Sequence, residues 1–292
     1  MPRIHYGDGL VLDAPDGMTV LEASIQHGIT HVHACGGNAR CTTCRVNVVE
    51  GCENCPPMSD AEREVLALRG YEQPVRLACQ LRPTGPIKVC CLLKEHPKRD
   101  VMPEGMARER EVAVLFADVR EFTSFAEKNL AFDVLHLLNR YFDRVGTIVE
   151  ANRGQVITFL GDGVVCLFED LDSARAAEAA VRAGIEIVQA SEVFGQYTQG
   201  NFGFDMRVGV GIAWGRAVIG QLGYYNKAGL NVVGDVVNTA SRAQDGTREA
   251  GVSLLVTEGV RELAGASFSY GRVFNFQLKG KDMPHDLHEV LA

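Results

Sequence analysis

The sequence predicts an α+β protein of two domains, and three observations carry that reading. A short opening segment mixes strand and turn signals around a cysteine-rich loop, a charged stretch with two prolines interrupts the chain at 94–110, and a longer segment then runs in the order βαββαβ. The 292 residues, 46% of them hydrophobic, suffice for two cores. A net charge of -8 with no basic stripe argues against nucleic acid or an anionic membrane as partner. No apolar run reaches membrane length and no apolar targeting segment opens the chain, so a soluble, cytoplasmic protein is expected.

Residues 3–6 and 10–12 flank Gly7-Asp8-Gly9 and predict a hairpin. Thr19 and Glu22 form a capping box for a short helix that stops at Gly28. A strand at 46–49, a second capping box at Ser59 and Glu62, and strands at 75–81 and 87–93 complete a β-grasp inventory for a first domain, 1–93. The segment 94–110, rich in Lys, Glu, Arg and His and punctuated by Pro97 and Pro103, reads as a linker or transducer, helical near 106–111. In the second domain, 111–292, a buried strand at 112–116 precedes a long helix whose stripe is Leu135, Leu138, Phe142, Val145 and Val149. Gly161-Asp162-Gly163 predicts a tight hairpin turn. An Ala-rich helix at 172–190, strands at 206–212 and 217–222, a helix at 236–245 and further strand imply an α+β sandwich on an antiparallel sheet.

The chemistry most narrowly defined by spacing belongs to Cys35, Cys41, Cys44 and Cys79, in the order C-x5-C-x2-C with a distant fourth. Thiolates are soft ligands, and three from one loop plus one from afar can surround a [2Fe-2S] cluster. The loop 34–44 is rich in glycine and small residues, which lets backbone amides turn toward bridging sulfides. Zinc would more naturally show two short pairs, and only Cys41/Cys44 is one. Nine cysteines, an odd number, fit poorly with a disulfide framework. Cys52 and Cys55 form a second C-x2-C without another half nearby, so a structural role is expected, with a redox pair as the alternative. Cys90, Cys91 and Cys166 lie in apolar runs and read as buried core thiols. With Arg76-Leu77-Ala78-Cys79-Gln80 around the fourth ligand, the first ninety or so positions resemble the vertebrate-type and bacterial [2Fe-2S] ferredoxins.

Asp118 ends a strand and Asp162 sits in a hairpin turn, so both carboxylates could project from one sheet edge, where hard oxygen ligands suit Mg2+ or Mn2+. Each alone is also an ordinary cap or turn residue. Asn238 and Arg242 stand four apart on one helix face, where amide and guanidinium can converge on one group.

The segments 115–123, 159–163, 206–211 and 232–242, the last reading VVGDVVNTASR, resemble the class III adenylate/guanylate cyclase catalytic domain. That resemblance implies two divalent cations on Asp118 and Asp162, with the Val119 carbonyl assisting. It also implies a transition-state pair in Asn238 and Arg242, contacts from Arg207 and Lys279 to the terminal phosphates, and a phosphate cradle at the amides of Phe122 and Thr123. A head-to-tail homodimer follows, because in the family the metal ligands and the Asn/Arg pair come from different subunits. Thr158 and Asn231 stand where adenylate cyclases usually place Lys and Asp or Thr, and neither matches the guanylate pattern. Both side chains donate and accept, so either purine edge could be met. The resemblance is to soluble cyclases that mostly use ATP, and backbone groups can supply part of adenine's recognition, so ATP is expected and GTP is the alternative substrate. The function implied is synthesis of a cyclic purine nucleotide under a redox-sensing cluster domain that could meet a redox partner protein. The rival is an electron-transfer ferredoxin with a degenerate cyclase-like module.

Overall fold

The opening alternation forms a hairpin, with β1 (Arg3–Tyr6) antiparallel to β2 (Val11–Asp13) and Ile4 opposite Leu12. The computed structural model describes residues 2–7, 9–93, 107–223, 229–277 and 285–291. Two units are distinguished, residues 1–108 with 221–229, and residues 109–220 with 230–292.

In the first unit, the Thr19 hydroxyl accepts from the Glu22 amide while the Glu22 carboxylate accepts from the Thr19 amide at 2.8 Å, so the predicted capping box opens α1 (Val20–Gln26). β3 (Arg45–Glu50), α2 (Asp60–Ala67), β4 (Val75–Leu77) and β5 (Ile87–Cys91) follow. The sheet order β2-β1-β5-β3-β4, with β1 parallel to β5 and α1 over the buried residues Ile4, Val46 and Val89, is a β-grasp. Cys90 is exposed and Cys91 half-buried, contrary to the expectation of core thiols, because β5 shows them at the end of a strand whose buried residues are Ile87 and Val89.

The second capping box is only half made. Ser59 caps the Glu62 amide, but the Glu62 carboxylate turns away to take the Arg76 guanidinium in a two-pronged contact, 2.9 Å on each prong, and the Leu77 amide at 2.7 Å. Both side chains are buried, and Arg76 also donates to the Pro56 carbonyl. A desolvated ion pair survives when each charge is fully hydrogen-bonded, as here, and breaking it from one side leaves a bare charge in the core.

The second unit begins with β6 (Arg108–Val119). Residues 108–110, expected in the linker and near-helical, are thus strand, the opening of β6. Residues 94–106 of the expected linker lie outside the described residues. After α3 (Phe122–Lys128) and α4 (Ala131–Ala151), the hairpin β7 (Gln155–Leu160) and β8 (Gly163–Phe168) turns at Gly161 and Asp162, as predicted. Then come α5 (Ser173–Phe202), β9 (Val208–Leu222), β10 (Gly229–Val233), α6 (Asp235–Ala250), β11 (Leu254–Thr257), α7 (Glu258–Ala264), β12 (Tyr270–Phe276) and β13 (His285–Val290). The four strands of the predicted βαββαβ core lie in the order β9-β6-β8-β7, fourth-first-third-second, and β11, β13 and β12 extend the sheet beyond β9. Helices α4, α5 and α7 cover one face and α6 the other, so β6 is apolar on both sides, with Leu115 and Ala117 in one core and Val112 and Val114 in the other.

Several boundaries move. The buried face of α4 is Leu137, Tyr141, Val145 and Val149, and Leu135 is 54% exposed, because packing chose an i, i+4 row rotated from the predicted stripe. The two predicted strands at 206–222 are one, β9, with Gly215 lying under Val236 of α6 and not in a turn. Glycine at 211 permits that helix to seat, since a Cβ there would stand 2.1 Å from the Gln244 amide nitrogen.

Replacing Glu62 with Leu is expected to destabilise the first unit by about 3–5 kcal/mol, leaving the Arg76 charge buried and unpaired. Urea titration followed by cluster absorbance checks it, and a midpoint equal to wild type would show that the pair contributes nothing.

Candidate functional site

Asp118 is carried to the sheet end by β6, and the β7–β8 turn brings Asp162 to the same end because Ala117 pairs with Val164 across the antiparallel ladder. The carboxylates come within hydrogen-bonding reach. Partial burial and the neighbouring Asp162 charge raise the Asp118 carboxyl from its ordinary 3.8 to about 7, with Asp245 adding to the rise and the Val119 amide opposing it. Two oxygen-rich groups crowded against their own repulsion fit a divalent cation, which removes the repulsion that raises the pKa.

The other predicted residues are distributed as follows. Val119 is buried at the end of β6, and Phe122 and Thr123 open α3 after Glu121, whose φ is 58°. Asn238 and Arg242 share α6, and Arg242 pairs with Asp245 at 2.9 Å. Arg207 stands just before β9, held by Asp205 at 3.0 Å and Glu192 at 3.4 Å, and its carbonyl accepts from the Arg120 amide. Thr158 lies on edge strand β7, and Asn231 on β10 bends its Oδ1 back to the Val232 amide at 2.8 Å. Lys279 falls outside the described residues. Sequence reading passed over two residues. Asp245 faces Asp118 electrostatically while holding Arg242, and its i+3 spacing from Arg242 was a usable signal. Tyr141 is buried, its hydroxyl has no hydrogen-bond partner among the described residues, and burial with the Asp118 charge pushes it far above its usual range. Nothing in its apolar-helix context signals that.

In the first unit the four cysteine sulfurs meet as two pairs. Cys41 donates to Cys35, which falls to about 5 with help from the amides of Arg40, Asn38 and Gly37. Cys44 donates to Cys79, which falls to about 7 with help from the Ala39 amide and Gln80. The hydrogen bond to its partner, with burial, drives each donor thiol up. Gly36 and Gly37, at φ 66° and 86°, and Ala39, at 51°, turn the loop so that its amides face sulfur. Thr43 Oγ1 stands 3.0 Å from Cys41 Sγ. Two thiol pairs inside an amide cradle fit a cluster of two irons with two thiolates each. Among the described residues, no group of three or more His, Cys, Asp or Glu is arranged to hold a single metal ion.

The folded chain holds a proton on Asp118 that the unfolded chain releases, so stability falls as pH rises from 3.8 to about 7. Asp118→Asn is therefore expected to raise the metal-free Tm above pH 7, with the gain shrinking as pH falls through that window and vanishing below it. Added Mn2+ should reverse the order by stabilising only the wild type. Differential scanning fluorimetry across pH tests both expectations, and a variant less stable than wild type at pH 8 would count against the crowding.

Residues 105–288 match the model of the adenylate and guanylate cyclase catalytic domain, and residues 4–84 match that of the 2Fe-2S iron-sulfur cluster binding domain. An adenylate cyclase of Anabaena cylindrica is 32% identical over 195 residues, 64% of this chain and 38% of that protein, so the chain spans well under half the length of that relative. The 2Fe-2S ferredoxin of Escherichia coli strain K12 is 42% identical over 78 residues, 26% of this chain and 70% of the ferredoxin. The crystal structure of the guanylyl cyclase Cya2 aligns with a TM-score of 0.58 at 28% identity, covering 63% of this chain and 93% of that one. The catalytic-domain match takes in the carboxylate pair and the helix of Asn238 and Arg242, and on it the chain belongs to the adenylate and guanylate cyclase family, carrying a 2Fe-2S cluster binding domain ahead of its cyclase domain.

Proposed function

We propose that this protein converts a purine nucleoside triphosphate, ATP in preference to GTP, to the 3′,5′-cyclic monophosphate and pyrophosphate. Each of its two equivalent sites lies between two copies of the chain, and the cluster domain acts as redox regulator. The observation that carries the reading is the convergence of Asp118 and Asp162 at the end of the sheet. Two divalent cations, Mg2+ or Mn2+, held there with the Val119 carbonyl, would acidify the ribose 3′-hydroxyl and neutralise charge on departing pyrophosphate. Arg242 offers a planar fork of donors to the α-phosphoryl oxygens, where charge grows as the ring closes. Asn238, one turn earlier on the same face, keeps the ribose in line for attack. Arg207, Lys279 and the amides of Phe122 and Thr123 hold the β- and γ-phosphates.

Arg242 pairs with Asp245 on an exposed helix face, where the guanidinium can exchange that carboxylate for a phosphate of the nucleotide. Base choice falls to Thr158 and Asn231. The Asn231 Oδ1 is taken by the Val232 amide, which leaves its NH2 group as the donor for an acceptor on either purine. The names of the curated relatives favour ATP. In the first unit Cys35, Cys41, Cys44 and Cys79 hold the [2Fe-2S] cluster, which supplies one-electron chemistry. A cytoplasmic setting belongs to this reading, since nine free thiols suit a reducing compartment. The departures at Thr158 and Asn231 sustain a second reading, an electron-transfer ferredoxin with a nucleotide-binding or dimerisation module.

Incubation with ATP and Mn2+ or Mg2+ is expected to yield cyclic AMP, and Asp118→Ala to abolish it. Mixing Asp118→Ala with Arg242→Ala chains should restore about a quarter of wild-type activity, since half of the random dimers carry one intact site of two. Absence of cyclic product from both ATP and GTP would leave the second reading. Rates with the cluster oxidised and dithionite-reduced are expected to differ, and equal rates would remove the redox role.

A further inference from the structure

The second C-x2-C is absorbed by neither the cluster nor the cyclase. Cys52–Asn54 form a single turn of 3-10 helix, and the Cys55 amide donates to the Cys52 carbonyl at 3.1 Å. In that geometry side chains three apart eclipse one another, and a turn closed by such a bond keeps the two Cα atoms under about 7 Å apart. A disulfide needs Cα atoms about 4.4–6.8 Å apart, a separation that such a turn allows. Each thiol is directed to the carbonyl four residues before it, Cys52 Sγ to Val48 and Cys55 Sγ to Gly51, weak contacts of 3.8 and 3.7 Å that a rotation of either side chain would release.

The turn is also locked in place. Gly51 enters it at φ 82°, with the Pro86 carbonyl so close that a Cβ would overlap it. The Asn54 side chain donates to the Pro86 carbonyl at 2.8 Å, and the Asn54 carbonyl accepts from the Thr84 amide at 2.9 Å. Two thiols carried three positions apart on one fixed turn have a high effective concentration for each other. Their exposures differ, Cys52 being exposed and Cys55 half-buried, which divides the roles of attacking and resolving thiol.

We propose that Cys52 and Cys55 form a reversible dithiol/disulfide site, separate from the four cluster ligands, that exchanges with small-molecule disulfides such as glutathione disulfide. The Cys52 thiolate attacks one sulfur of glutathione disulfide, forming a mixed disulfide and releasing one glutathione thiolate. The Cys55 thiolate then attacks the Cys52 sulfur, closing the Cys52–Cys55 bond and releasing the second glutathione. Two protein thiols are oxidised, one disulfide is reduced, and the two protons lost by the cysteines pass to the two glutathiones. Burial raises the Cys55 thiol pKa, so closure accelerates with rising pH.

The full-length protein with its cluster in place is equilibrated anaerobically with glutathione disulfide, quenched with an alkylating agent, and the peptide spanning both cysteines is weighed. The wild type is expected to lose both alkylatable thiols there and to retain no glutathione, with the visible spectrum of the cluster unchanged. Cys55→Ser should trap one glutathione on Cys52, and Cys52→Ser should leave Cys55 alkylatable. Full alkylation of the wild-type peptide, or glutathione that persists on wild-type Cys52, would overturn the proposal.

Discussion

Like-charge repulsion between two carboxylates at one end of one sheet is the constraint on which the catalytic unit depends. Asp118 and Asp162 stand 44 positions apart in sequence, yet β6 and the β7–β8 hairpin bring them together because Ala117 faces Val164 across the ladder. The repulsion is maintained by rigid surroundings. β6 is buried on both faces, and its neighbours Leu115, Ala117 and Val119 belong to the same core as Tyr141 and Val145 of α4. A softer scaffold would splay the acids apart and relax the Asp118 carboxyl toward its ordinary value.

The thiolate centre repeats the same logic with softer ligands. Cys41 lies within hydrogen-bonding reach of Cys35 and Cys44 of Cys79, and loop amides favour the charged forms of Cys35 and Cys79. Cys79 comes from far along the chain, and the Glu62–Arg76 pair anchors the backbone beside it, Glu62 accepting from the Leu77 amide two residues earlier. Glu62 could have closed a capping box. The fold uses it instead to satisfy a buried guanidinium, since an unpaired charge in the core is the greater cost.

Legibility in the sequence followed the range of the interaction. Local signals held: the Thr19 box, the Asp162 turn, and the C-x5-C-x2-C loop all depend on residues a few positions apart. Longer-range features were displaced. The buried row of α4, the continuity of β9 and the exposure of Cys90 each depend on what packs against them, which periodicity alone does not specify. The orphaned Tyr141 hydroxyl was invisible for the same reason, and the exposed Asp245 was legible only as a partner for Arg242, because the nearness of each to Asp118 is not written in any spacing.

By itself, then, the sequence determined which atoms are available: four thiolates at cluster spacing, two acids after strand and turn, and an amide and a guanidinium one helical turn apart. Residue identity and short-range geometry suffice for that, since side-chain chemistry and i, i+4 neighbourhood need no tertiary contact. Only the tertiary structure decided which of those atoms meet. Sheet order 4-1-3-2 joined Asp118 to Asp162, and a buried ion pair, not a cap, anchored the backbone beside Cys79. Strand pairing and burial act between residues far apart in the chain, and their outcome depends on the whole core packing at once.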